Sequence, residues 1–160
     1  LKLKNWILSV CILSLSAFCR EKRPFLRLEP TVQDRGRIYV IRPIDPTLAA
    51  WTYEFYLEKY KGHFKKGDLE PISKFDLRNG EYFTDELEDG FYRLRVPSKE
   101  GLEKILKIEK GKRSYFRFMI FNEKEISIPD FFIKEVSEMD ALENLLEGQH
   151  LNEAFSERKP

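Results

Sequence analysis

The first apolar stretch of the chain is nearly continuous. Residues 6–15 are interrupted only by Ser9 and Ser14, and Ser16-Ala17-Phe18 carries the stretch to Cys19. Polarity returns at once with Arg20-Glu21-Lys22-Arg23-Pro24. From Gly36 the pattern repeats every second residue, the period of strands with one buried face. Residues 37–42 form an apolar run closed by Pro43, and residues 52–58 set Tyr53, Phe55 and Leu57 on one face. Residues 72–77 and 81–84 flank Asn79-Gly80, a tight-turn pair. Residues 91–96 alternate with Tyr92, Leu94 and Val96 inward and Arg93 and Arg95 outward. Residues 104–109 and 114–121 enclose Lys110-Gly111-Lys112, which predicts a hairpin, and residues 131–136 form the last strand.

Ser137 then predicts a helix start, with Asp140 three residues on as in a capping box. Met139, Leu142, Leu145 and Leu146 make an apolar stripe, and Gly148 closes the helix. Short strands separated by turns at intervals of about ten residues predict a sandwich. The expected fold is mainly β: an antiparallel β-sandwich of about seven or eight strands with one short C-terminal helix.

The leading segment has the three-part layout of a secretory signal: Lys2 and Lys4, an apolar stretch, and small residues before Cys19. At roughly 13 residues, that stretch is shorter than the about 20 a membrane-spanning helix needs. Residues 1–19 are therefore read as a signal peptide. Residues 20–35, with Pro24 and Pro30, read as a flexible tether, 36–148 as the sandwich and 149–160 as a frayed tail. The basic group Arg20, Lys22 and Arg23 suits either a solvated linker or contact with anionic headgroups.

The chain is 42% hydrophobic, 14% aromatic and 34% charged, a globular composition whose aromatic share favours strands. Formal charge is +1, and without Lys2 and Lys4 acidic groups exceed basic ones by one. Such a near-neutral body carries no electrostatic footprint for nucleic acid. Both cysteines, Cys11 and Cys19, lie in the leading segment. The body therefore has no thiol for a disulfide framework or a thiolate metal site. A single cysteine retained at a new N-terminus needs a reason, and lipidation supplies one.

Leu15-Ser16-Ala17-Phe18-Cys19 resembles the lipobox of bacterial lipoproteins, in which leucine and small residues precede a cysteine that takes a diacylglycerol. Phe18 departs from that pattern, because lipoprotein signal peptidase takes Gly, Ala or Ser at this position. An ordinary signal-peptidase cut after Ser16 or Ala17 would instead leave a periplasmic or secreted protein. The expected location is the bacterial cell envelope, lipid-anchored to a membrane through Cys19.

In the body, Gly36-Arg37-Ile38-Tyr39-Val40-Ile41-Arg42-Pro43 is followed by Arg78-Asn79-Gly80-Glu81-Tyr82-Phe83 and Glu88-Asp89-Gly90-Phe91-Tyr92. Ile108-Glu109-Lys110-Gly111-Lys112-Arg113-Ser114-Tyr115-Phe116 and Val136-Ser137 complete the series. This order resembles small bacterial secreted proteins and lipoproteins grouped as a domain of unknown function. Their β-sandwich is akin to PEGA and carboxypeptidase-regulatory-like modules. The long basic insert between Leu57 and Ile72 departs from the family's tight hairpin. The resemblance implies a sandwich and export, and no activity.

Candidate chemistry is sparse. His63 falls in a Gly/Lys turn and His150 near the C-terminal end, and no Gly-x-Ser-x-Gly elbow occurs. No catalytic residue, metal ligand or cofactor is expected. Asp85-Glu86-Leu87-Glu88-Asp89-Gly90 offers oxygen ligands for Ca²⁺ but lacks EF-hand spacing, and reads as a solvated turn. The densest positive group is Lys59, Lys61, His63, Lys65 and Lys66, interleaved with Tyr60 and Phe64. It suits an anionic polymer such as lipopolysaccharide, or lipid headgroups, or simply keeps a long hairpin soluble and blunts an edge strand.

The expected function is a non-enzymatic binding or structural module facing an envelope protein or anionic glycan. One alternative is a carbohydrate-active enzyme working through paired carboxylates. The other is a small-ligand carrier with the helix over an apolar pocket between sheets.

Overall fold

The computed structural model describes residues 22–122, 128–148 and 150–158. The signal segment, Cys19 and Arg20 lie outside them. In chain order the elements are β1 (Arg35–Arg42), β2 (Tyr53–Tyr60), β3 (Leu69–Leu77), β4 (Glu81–Glu88), β5 (Gly90–Arg95), β6 (Glu103–Ile108), β7 (Arg113–Phe121), β8 (Asp130–Val136), α1 (Glu138–Leu145), β9 (Asn152–Glu153) and β10 (Ser156–Arg158).

They form two five-stranded sheets, β8-β7-β1-β4-β9 (sheet A) and β10-β3-β2-β5-β6 (sheet B). The predicted sandwich is present. Alternate residues of each sheet meet in one core, with Ile38, Val40, Phe83 and Phe118 facing Phe55, Leu57, Phe75 and Leu94. Rings lock the sheets together across it. Phe75 stacks on Phe83 at 3.7 Å, and Phe118 meets Phe55 edge-on at 5.2 Å. Each such fully buried side chain contributes about 1.5–3 kcal/mol relative to exposure.

The eight predicted strands are joined by two short ones in the tail, and the pairing is not purely antiparallel. β1 pairs with β7 in parallel, as β4 does with β9. The 110–112 turn leads from β6 in sheet B to β7 in sheet A, so the predicted hairpin is an arch between layers. Asn79-Gly80 likewise joins β3 to β4 across the sandwich. Gly36 makes room for the first arch. A Cβ there would stand 2.5 Å from both the Glu109 carbonyl oxygen and Ile108 Cγ2. The close approach lets Gly111 N–H reach the Arg35 carbonyl at 2.9 Å, and Arg37 N–H the Lys112 carbonyl at 2.9 Å.

The acidic run is strand for most of its length. β4 pairs with β1 as far as Glu88, Leu87 joins the core and Asp85 is buried. Its outward carboxylates meet cations: Glu86 with Arg37 and Glu88 with Lys59, each at 2.5 Å.

A third layer covers sheet A. Its outer face presents Tyr39, Ile41, Tyr82 and Tyr115, covered by Ala141 and Leu145 of α1, by Leu151 and by Phe25. The tether reading is thus corrected from Pro24 to Glu29. Phe25 is 2% exposed, its N–H donates to the Leu151 carbonyl at 2.7 Å, and the Phe25 carbonyl accepts from His150 Nδ1 at 2.7 Å. Glu29 N–H donates to the Tyr39 hydroxyl at 2.9 Å, and Arg113 reaches the Glu29 carbonyl at 3.0 Å. The tail is corrected too. Leu151 and Ala154 are buried, β9 pairs with β4 and β10 with β3.

Ser137 caps α1 as expected, accepting from Asp140 N–H at 3.1 Å. The buried face, however, is Ala141 with Leu145, while Met139 is 76% exposed. Small Ala141 lets the helix approach the tyrosine layer, which Met139 could not. The helix lies outside sheet A and covers no space between the sheets. Among the described residues no helix is long and apolar enough to cross a membrane.

The two ends of the sandwich differ. At one end Arg23 accepts from Glu153 N–H at 2.8 Å, and Asn152 N–H donates to Gly80 at 3.1 Å. The strap from Lys22 therefore enters beside the 78–80 turn and the 43–52 loop. The β2–β3 tip lies at the other end, about 23 Å away at the strand rise of ~3.3 Å per residue along β1.

Candidate functional site

Between β2 and β3 the chain closes a compact tip that ends in a 3-10 turn, Lys66–Asp68. Asp68 clips it. Its carboxylate accepts from His63 N–H at 2.8 Å, its carbonyl from Lys61 N–H at 3.0 Å, and its own N–H donates to Lys65 at 3.0 Å. The side-chain-to-backbone bond is the reason aspartate suits such turns.

The clipped tip turns Phe64 back over the outer face of sheet B. Phe64 lies 4.9 Å from Tyr60 and 5.2 Å from Phe91, tilted against the first ring by 50° and edge-on to the second at 72°. Tyr60 and Phe91 share the outward parity of β2 and β5, one step beyond the Lys59–Tyr92 pair, and Phe64 touches both rings. Phe64 is 61% exposed and Phe91 41% exposed. The result is a three-ring platform in water, with Phe64 between the other two rings.

Lys61, His63 and Lys65 are exposed on the loop that carries Phe64, and Lys66 opens the 3-10 turn. Lys59 does not join them. It has the opposite parity to Tyr60, and its Nζ sits 2.5 Å from Glu88 and 5.9 Å from the Tyr92 ring centre. The hydrogen bond from Lys59 holds the Glu88 carboxyl below the usual carboxylate range. Sequence reasoning missed Phe91 as a site residue. Its signal was parity, since it shares the outward face with Arg93 and Arg95.

Directly behind the platform, β2 and β5 are braced. Glu58 accepts from Arg93 Nε and Nη2 at 2.9 and 2.8 Å, and from Arg95 Nε at 3.1 Å. Arg95 also lies 4.5 Å over the Tyr56 ring. All three donors converge on one oxygen, Glu58 Oε2, so these charges are mutually committed. Arg117 lies on sheet A, 3.5 Å from Asn144 Oδ1, so the three arginines do not line one face.

A hollow of about 560 Å³ near this end is lined by Arg35, Lys59, Glu70, Asp85, Glu86, Glu88 and Tyr92. A glycoside hydrolase needs one carboxyl kept protonated by its surroundings. Here Glu86 is held by Arg37 and Glu88 by Lys59, and Glu88 is displaced in the opposite direction. Among the described residues no group of three His, Cys, Asp or Glu is disposed to hold a metal ion.

Compared with protein-family models, curated proteins and solved structures, the chain matches none.

Proposed function

We propose that the protein is a non-enzymatic binding module of a bacterial cell envelope, held at a membrane by a lipid on Cys19, whose distal tip engages an anionic glycan. The observation that carries this reading is the exposed Tyr60–Phe64–Phe91 platform, flanked by Lys61, His63 and Lys65. Flat rings offer apolar contact to sugar faces, and neighbouring ammonium groups attract acidic substituents. The lipobox-like Leu15-Ser16-Ala17-Phe18-Cys19 and the resemblance to small bacterial lipoproteins support the envelope setting. The tip's position, at the end away from the strap, leaves it accessible beyond an anchored surface.

The test is titration of the full chain with purified lipopolysaccharide, with dextran as the neutral control. A Phe64→Ala, Phe91→Ala double variant is expected to bind at least tenfold more weakly, about 1.4 kcal/mol, because central aromatics carry most of such contacts. Binding should also weaken as salt screens the lysines. Phe64 is largely exposed, so its truncation should leave the urea midpoint nearly unchanged. Unaltered affinity in the variant, or equal binding to dextran, would contradict the reading.

A further inference from the structure

The end of the sandwich at which the strap enters is itself shaped like a membrane-contacting rim. Trp51 is 63% exposed, and Ile44, Phe121 and Phe155 are exposed at the same end. Trp51 stands on a pinned loop, not a loose one. Buried Arg42 donates to the carbonyls of Trp51, Leu48 and Leu77 at 2.6, 2.9 and 3.0 Å. Asp45 N–H donates to Asn79 Oδ1 at 2.9 Å, and Thr47 N–H to Asp45 Oδ1 at 2.7 Å. The loop therefore holds a large amphipathic ring in water, covered by few of the described residues.

Beside it, Lys22, Arg23 and Arg78 line a hollow of about 460 Å³ together with Phe155, Glu81 and Glu153. One Glu81 oxygen is occupied by Arg78 N–H at 2.9 Å. Basic and aromatic side chains thus lie together where the chain turns toward its apolar leader.

The length of chain beyond Lys22 identifies what covers this rim. Because Phe25 is packed, only Arg20 and Glu21 lie between Lys22 and Cys19, three steps with a reach of at most about 11 Å at ~3.5 Å per residue. A lipid on Cys19 then leaves the domain no room to stand clear of the headgroups. Tryptophan favours that interface, and basic side chains favour anionic lipids. We infer that this end of the domain seats on an anionic lipid surface, with Trp51, Ile44 and Phe155 at the interface and Lys22, Arg23 and Arg78 on headgroup phosphates. The inference rests on the membrane-held reading and adds a second, protein-borne contact to the lipid.

With residues 1–18 removed, Trp51 is the sole tryptophan of the chain. The mature protein, purified from membranes and weighed intact to show that it begins at Cys19, is reconstituted in phosphatidylethanolamine–phosphatidylglycerol vesicles with brominated acyl chains. The expected result is loss of Trp51 emission and a blue shift relative to unbrominated vesicles. An Ile44→Asp, Phe155→Asp variant should lose both effects while staying vesicle-bound through its lipid. An acylated protein whose emission ignores the bromine overturns the seating and leaves the anchor standing. A chain that carries no acyl mass and stays in the aqueous phase overturns both.

Discussion

Phe25 sits in a polar stretch, between Arg23-Pro24 and Leu26-Arg27, and yet is buried in one cluster with Tyr82, Leu145 and Leu151. Its ring meets Tyr82 edge-on at 5.6 Å. Phe25→Ala should therefore cost about 3–5 kcal/mol, the range for a buried phenylalanine. Urea unfolding monitored by circular dichroism measures it. A loss under about 1 kcal/mol would mean that the strap leaves the sheet without unfolding it. One aromatic in a run of charges gives no periodicity, so the strap was illegible in the sequence. By contrast, Tyr53, Phe55 and Leu57 were legible because their alternation is unbroken. At the candidate site the lysines were visible as composition. Lys59's engagement with Glu88 was not, because it depends on which strand of the opposite sheet ends against β2.

At the scale of elements, turns were legible and their partners were not. Gly80 and Gly111 both take positive φ, so each marks a reversal correctly. Neither encodes whether the reversal stays in one sheet, and both cross between sheets. The acidic strand shows the same limit, since charge argued for a turn while pairing with β1 and the cations opposite Glu86 and Glu88 favoured extension.

The layer between sheet A and α1 has a consequence for pH. Burial raises the phenol pKa of Tyr39, Tyr82 and Tyr115 above their usual value, and Tyr115 donates to Glu138 of α1 at 2.6 Å. A raised folded-state pKa stabilises below the unfolded value near 10 and is lost as pH rises through the folded value. The urea midpoint should hold steady up to about pH 9.5 and fall above about pH 10. A midpoint flat through about pH 11.5 would show that these phenols ionise freely in the folded state.

Over the whole molecule, the strap fixes polarity. It brings residue 22 to one end of the sandwich and leaves the three-ring platform at the other, so the two are separated by the length of the strands. Fold class was readable from periodicity because a sandwich repeats one simple pattern many times. This polarity was not, because it depends on the packing of Phe25 and on which sheets the arches join. The orientation has meaning only if the chain is held at Cys19, and the direct test is the intact mass of the membrane-extracted protein beside a Cys19→Ala variant. The expected result is a chain beginning at Cys19 with added diacylglycerol mass, which the variant lacks as it moves to the aqueous phase. A native protein that begins at Ala17 or Phe18, carries no lipid and partitions into water would contradict it.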